Sequence, residues 1–255
     1  MLNADLEGKY NTIYSKGKED FFTQMPDGKY DSKDESYLIS KFITDWNGKR
    51  VLEIGCGTGF LANYLSTIGA DVTACDYSEE AIRIARNRYG NARFIHTDYK
   101  EIDGKYDVVI MQGVLEHLNN PFGELKYIMD TRATDCLITT SPGFCNPRGY
   151  VWMALYSLFD IPMSLTDLYF LNPFDFEEFC EQCGYKLQIR STDEDWASGD
   201  RMIVDYKKRL RNALSDAGFD SGGVGKFLKW AERANKTFEH NNKTGATVGY
   251  KITRG

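Results

Sequence analysis

Short apolar runs alternate along this chain with longer stretches in which apolar residues recur at helical spacing. The runs predict strands at Val51 to Ile54, Asp71 to Asp76, Ala92 to Thr97, Tyr106 to Met111, Thr134 to Thr140, Tyr185 to Ser191 and Ala246 to Thr253. Helices are predicted between them. Phe60 to Ile68 follows the first strand, and Glu79 to Tyr89 follows the second, with Ser78 as its N-cap, acids in its first turn and arginines in its last. Ahead of the first strand, Tyr37 to Trp46 reads as a helix with Leu38, Phe42 and Ile43 on one face. Alternation of this kind builds an α/β domain, a parallel sheet covered by helices on both faces.

Two stretches exceed such a domain. From Pro142 to Phe174 the chain has eight aromatic residues and only three charges, Arg148, Asp160 and Asp167. The stretch follows the fifth strand, at the edge where open α/β sheets hold ligands. It reads as a lid with a largely apolar substrate pocket in which Tyr150, Trp152 and Tyr156 are the candidate contacts, or equally as a dimer face or cap packing. Trp152 and Tyr156 are four apart, which puts them on one helical face. From Asp200 to His240 two amphipathic helices are expected, the second burying Val224, Phe227, Leu228, Ala231, Ala234 and Phe238. They separate the last two strands and leave the topology there open. The expected organisation is an N-terminal segment, 1–35, and a domain, 36–255, with cap insertions at about 142–174 and 200–240.

The chemistry concentrates in Val51-Leu52-Glu53-Ile54-Gly55-Cys56-Gly57-Thr58-Gly59. Glycines after a strand let the backbone turn sharply and let a ligand lie against the main chain, while the next helix turns its free N–H groups toward that ligand. Asp76, at the end of the second strand, is placed to accept hydrogen bonds from a ribose diol. The spacing is G-x-G-x-G, with Phe60 where a dinucleotide fingerprint has its third glycine. Glu53 would repel a pyrophosphate, whereas an ammonium-bearing ligand would be tolerated.

The string E-x-G-x-G-x-G with a later acid resembles motif I of the class I S-adenosylmethionine-dependent methyltransferases. The resemblance covers roughly residues 35 to 190 in motif order. It implies a Rossmann-like, mostly parallel seven-stranded sheet whose last strand is antiparallel, S-adenosyl-L-methionine as cofactor, and an N-terminal segment closing over it through Tyr10 or Tyr14, unless those rings only staple the segment to the core. Expected cofactor contacts are Glu53, Gly55, Cys56, Gly57, Gly59, Asp76, Tyr77, Asp98, Tyr99, Gln112, Gly113, Val114 and Tyr14, with Asp98 beside the adenine amino group. The implied reaction is attack on the methyl carbon of a sulfonium, which rests on positioning and water exclusion, with a base needed for a hydroxyl acceptor. His117 is the base candidate, its rival role being to shape the loop; His96 lies in a strand and His240 is expected in a distal helix.

Absences narrow the acceptor. Quinone-pathway relatives have a Glu-x-x-Glu-His metal set at this place, and Gly113 stands for its first glutamate, so no metal is expected. No Asp/Asn-Pro-Pro-Tyr string follows the fourth strand, and no proline-cysteine motif suits attack on a pyrimidine carbon. A small-molecule hydroxyl is therefore the favoured acceptor, ahead of protein, RNA or a non-catalytic binding role.

Composition sets the outer limits. With 255 residues, 42% of them hydrophobic, the chain can bury an adequate core. A net charge of −6 argues against phosphate-driven nucleic-acid binding. Lys207-Lys208-Arg209 with Arg211 is the densest basic run and reads as a solvated helix face. Met1 to Asp20 has no apolar run and nowhere do 18 apolar residues follow one another, so no membrane span and a cytoplasmic location are expected. Six scattered cysteines suit free thiols in a reducing compartment, and Cys180-x-x-Cys183 reads as packing. Monomer and homodimer remain equally open.

Overall fold

Seven strands form one sheet in the order β3-β2-β1-β4-β5-β7-β6. They are β1 (Arg50–Ile54), β2 (Asp71–Asp76), β3 (Arg93–His96), β4 (Tyr106–Gln112), β5 (Ala133–Pro142), β6 (Tyr185–Thr192) and β7 (Thr247–Arg254). Strands β1 to β5 pair in parallel. β7 enters antiparallel between β5 and β6. The computed structural model describes residues 4–15, 33–161, 169–192 and 194–255. Phe21 and Phe22, whose spacing continues the amphipathic pattern of Tyr10 and Tyr14, and Asp167 lie outside them.

Alternation along the strands sorts the core into two layers. Leu52, Ile54, Val109, Met111 and Leu137 face one way, onto Leu125 and Ile128 of α5 (Pro121–Thr131) and Phe176 and Phe179 of α7 (Pro173–Cys183). Val51, Val108, Ile110 and Ile138 face the other way. There they meet Ile39 of α2 (Lys33–Ser40), Leu61 and Leu65 of α3 (Phe60–Thr67), and Ile82 and Ala85 of α4 (Glu79–Arg88). Phe176 stacks on Tyr250 with centroids 3.7 Å apart, both fully buried. Each such ring contributes about 1.5–3 kcal/mol of burial free energy.

The helix before β1 differs from expectation. It spans Lys33–Ser40, not Tyr37 to Trp46. After Ser40 the backbone closes tighter bonds, Lys41 N–H to Leu38 O and Phe42 N–H to Ile39 O, and the Trp46 indole donates to the Ser40 carbonyl at 2.9 Å. Satisfying that carbonyl from a side chain ends the helix and turns Phe42 and Trp46 inward. Since α2 straddles residue 35, the expected segment boundary falls inside a helix.

The last two strands pair along their whole length, from Tyr185 opposite Arg254 to Thr192 opposite Thr247. The helices between them join the helix that follows β5 to form a cap. It comprises α6 (Pro147–Phe159), α8 (Glu194–Ser198), α9 (Asp200–Asp216) and α10 (Val224–Ala234). Its core is Trp152, Met202, Ile203, Tyr206, Leu210, Val224, Leu228 and Ala231. α6 leaves the C-terminal end of β5, so the cap belongs to the edge of the sheet that carries the glycine turn.

Candidate active site

The turn after β1 needs glycine. Gly55, Gly57 and Gly59 have φ of 71°, 50° and 83°, the left-handed region that side chains disfavour. Their surroundings differ. A Cβ on Gly59 would meet the Phe94 ring at 2.6 Å, so this glycine serves helix packing. On Gly55 it would strike Val114 at 2.5 Å, and on Gly57 it would sit 3.0 Å from the Tyr14 hydroxyl. Gly55, Gly57, Val114 and Tyr14 therefore converge on one space.

Several groups named as ligand contacts are committed within the fold. The N–H groups of Gly55 and Cys56 donate to the Cys75 carbonyl at 2.8 and 3.0 Å. Those of Gly57 and Ser78 donate to the two oxygens of Asp76, each at 2.8 Å. Asp76 thus fixes the loop, and any ribose diol would share its oxygens. Burial raises its carboxyl above the ordinary range against the pull of those N–H groups. The Cys56 thiol is buried and held well above its ordinary pKa, which makes it inert packing.

Glu53 has a role that spacing did not reveal. It is 2% exposed and accepts from the N–H of Ala62, one of the orphan donors in the first turn of α3. Its Oε2 has no hydrogen-bond partner among the described residues. Burial, and secondarily the Asp76 carboxylate, push its carboxyl up to about 8. A cation bonded to Oε2 would favour ionisation and offset the burial.

Helix α1 (Ala4–Ser15) covers this space. Tyr10 stacks on Tyr14 at 6.3 Å and meets the edge of Tyr77 at 5.9 Å. Ser78 donates to Asn11 Oδ1 at 2.7 Å, tying the helix to the start of α4. Tyr14 sits beside Asp76, and burial followed by that carboxylate keeps its hydroxyl protonated far above the ordinary phenol range. Both α1 tyrosines lie against the residues around the glycine turn, Tyr14 at Gly57 and Tyr10 at Tyr77. The Asn11 bond had no signal in the sequence.

His117 closes the 3₁₀ turn Leu115–His117 after β4. Its Nε2 lies 3.3 Å from the Tyr10 hydroxyl. Gln112 is held from the opposite side, accepting from Ser36 at 2.9 Å and donating to Glu35 at 3.3 Å, while Thr247 donates to the second Glu35 oxygen at 3.2 Å. Gly113 adopts φ 60° and donates to Thr140 Oγ1 at 3.2 Å. Asp98 accepts from Lys100 N–H at 3.0 Å, and the Tyr99 hydroxyl donates a hydrogen bond to Glu124, which Lys100 pairs at 2.9 Å. Glu35, Ser36 and Glu124 went unrecognised because nothing local marks a partner from a distant helix.

The cap residues are placed differently from expectation. Trp152 is 1% exposed, in the cap's own core against Tyr206 and beneath the Arg209 guanidinium 5.3 Å from its ring. It lines no pocket. Tyr156 is 41% exposed and leans on Phe170 at 4.5 Å, so the two rings do not share one environment. α6 is apolar all round, and spacing therefore fails to choose its inner face. Tyr150, 60% exposed, borders a surface groove with Phe227 and Trp230. Part of the basic run turns inward: Arg209 pairs at 3.5 Å with buried Asp205, which Arg148 also meets at 3.5 Å. His240 follows the 3₁₀ turn Asn235–Thr237 instead of lying in a helix, and its Nε2 is 2.7 Å from Ser198 Oγ.

Residues 51–128, the glycine turn through α5, match the family model described as a methyltransferase domain. Over that stretch the chain is similar to a methyltransferase domain. The Bordetella avium protein named ubiquinone biosynthesis O-methyltransferase is 35% identical over 141 residues, 48% of this chain and 58% of that protein. Its namesake from Aromatoleum aromaticum is 29% identical over 186 residues, 66% of this chain and 80% of that one. The chain covers 65% of the Acinetobacter baylyi relative, so it spans less than two thirds of the length of the first curated relatives it matches. Among solved structures, a possible histamine N-methyltransferase from Thermotoga maritima aligns with TM-score 0.61 at 13% identity, covering 96% of this chain and 98% of its own. Magnesium protoporphyrin IX methyltransferase from Synechocystis aligns at 0.52 and 17% identity, covering 88% and 80%. These two show that the methyltransferase fold is shared.

Proposed function

We propose that this methyltransferase domain uses S-adenosyl-L-methionine to methylate a hydroxyl of a small molecule. The observation that carries the reading is the joining of Glu53, Gly57 and Asp76 in one cradle: two buried carboxyls flank a turn that a single Cβ would fill. An adenosine bearing an ammonium fits such a donor set. Asp76 would take the ribose hydroxyls, the unpartnered Glu53 oxygen would face a cationic group, and Gly57 would let the ligand approach the backbone.

The cofactor, when bound, supplies a methyl group already activated by its sulfonium. What remains for the chain is positioning, water exclusion and proton removal. Tyr10, Tyr14 and Tyr77 form the covering wall. His117 accepts the acceptor's proton, and Tyr10, 3.3 Å from Nε2, helps to set its tautomer and direction. O-methyltransferase relatives support a hydroxyl acceptor. The six cysteines are free, which suits a reducing, cytoplasmic setting.

Calorimetric titration tests the cradle, with S-adenosylmethionine and its demethylated product expected to bind one to one. Labelled donor presented with pooled metabolites then tests transfer. Binding of a nicotinamide dinucleotide, with no affinity for the sulfonium, would overturn the reading.

A further inference from the structure

The turn that carries His117 is closed from within by two bonds, His117 N–H to the Val114 carbonyl and Leu118 N–H to the Leu115 carbonyl, each at 3.1 Å. Leu115 and Glu116 are buried beneath it. Past Leu118 a new element begins at once, because Asn120 is the N-cap of α5 and its side chain accepts from the Gly123 N–H. Asn119 belongs to neither. A carbonyl between a 3₁₀ turn and a helix cap lies outside both hydrogen-bond patterns.

Tyr169 reaches that carbonyl. Its hydroxyl donates to the Asn119 oxygen at 2.6 Å, and its N–H donates to the Glu116 oxygen at 3.3 Å. The two carbonyls stand on either side of His117, so a residue 50 positions beyond Asn119 holds both flanks of the turn. Tyr169 is 39% exposed. With that access to water its hydroxyl could be hydrated at little cost, so burial does not demand the bond and its effect falls on the loop.

A side chain positions a loop only if its own backbone is held. Phe170 packs edge-on against Phe144 at 5.0 Å and leans on Tyr156 of α6. Leu171 is buried in the layer shared with α5 and α7, and Ser141 of β5 donates to its carbonyl at 3.5 Å. Asn172 then caps α7. Tyr169 is therefore anchored, through the residues that follow it, to β5, α6 and α7. Tyr10 touches the His117 imidazole itself, whereas Tyr169 bears on the backbone that aims it.

We propose that Tyr169 is a positioning residue: through the Glu116 and Asn119 carbonyls it fixes the His117 turn and so directs the imidazole at the acceptor's hydroxyl. The inference rests on the reading of His117 as the base. Tyr169 touches no reacting atom. Its contribution is orientation, since a base removes a proton only within hydrogen-bond reach of it.

Tyr169→Phe removes the hydroxyl and keeps the ring and the N–H. Nuclear magnetic resonance of the imidazole nitrogens in the full-length protein, with no ligand added, reads the geometry directly. Of the three histidines, His117 should shift or broaden, its signal identified by its loss in His117→Gln, while His96 and His240 stay in place. With the acceptor that the labelled-donor screen identifies, kcat should fall about fivefold, the worth of one neutral hydrogen bond. Acceptor KM and affinity for S-adenosylmethionine should stay within about twofold. The deficit should shrink at high pH, where a hydroxyl that ionises unaided no longer needs the base. Unmoved His117 signals, an unchanged kcat, a deficit equal at every pH, or one that comes with lost donor affinity would each overturn the proposal. A screen that yields no acceptor would instead strike the function proposed above, and moved His117 signals would still support the hold of Tyr169 on the turn.

Discussion

Tyr10 and His117, 107 positions apart in the chain, meet with hydroxyl and Nε2 3.3 Å apart. The pair joins the helix over the cradle to the loop that carries the proposed base, so that helix also touches a ring of the proposed chemistry. Tyr10→Phe keeps the ring against Tyr14 and Tyr77 and removes only the hydroxyl. Transfer should slow at least tenfold and the pH profile of kcat should move, while donor affinity stays within about tenfold, or roughly 1.4 kcal/mol. Steady-state rates across pH, beside calorimetry with the donor, check this. An unmoved pH profile would assign Tyr10 to packing alone.

Asp76→Ala should weaken S-adenosylmethionine by about 1.5–3 kcal/mol, the scale of a lost charged hydrogen bond. It also orphans the N–H groups of Gly57 and Ser78, so a lower Tm should accompany the lost affinity. Calorimetry and thermal melts on one preparation read both effects. Undiminished affinity would place the ligand elsewhere.

Gly57→Val separates ligand space from folding. A side chain there meets the Tyr14 hydroxyl and must adopt φ near 50°. Binding should be lost while circular dichroism retains the sheet, because the strain of about 1–3 kcal/mol is local.

Glu53→Gln tests a cost of keeping an acid in the loop. The folded carboxyl holds its proton up to about pH 8, whereas the unfolded one releases it near the ordinary 4.5. Between those values the folded state binds more protons, so stability falls as pH rises through this window and levels off above it. Asp76 is shifted in the same direction and remains in the variant. Thermal melts from pH 5 to 9 should therefore show the variant more stable than wild type at pH 8 and flatter with pH. Its affinity for the cationic donor should fall. A variant as pH-sensitive as wild type would mean that Glu53 is not the group responsible.

How much of this was legible in the sequence follows from the range of each interaction. Strand positions could be read because alternation and glycine breaks are local, and Ser78 did cap α4 as expected, accepting from Ala81 at 3.2 Å. The end of α2 could not be read, since it depends on the Trp46 indole reaching back to Ser40. Partners supplied from afar were equally silent: Glu35 on Gln112, Glu124 on Tyr99 and Asn11 on Ser78. The orientation of α6 failed for a different reason. Periodicity chooses an inner face only when a polar face opposes it, and α6 has none.

Trp152→Ala is the substitution on which the sequence and the structure differ most. A ring in a substrate pocket would be lost at the expense of turnover and leave stability nearly unchanged. Trp152 instead fills the centre of the cap, touching Tyr206 and lying under Arg209. Removing it leaves a cavity among Met202, Tyr206 and Leu228 and strips the cover from the Asp205 ion pairs. A loss of about 3–5 kcal/mol is expected, the range for deleting a buried large aromatic. Because the cap has its own core, that loss should appear as early protease cleavage within residues 194–240 and fast amide exchange in α9 and α10, with β1 to β5 still protected. Tyr156→Ala, at a half-exposed site against Phe170, should leave cap protection close to wild type. If Trp152→Ala kept full cap protection and lost only acceptor turnover, its ring would belong to the substrate pocket after all.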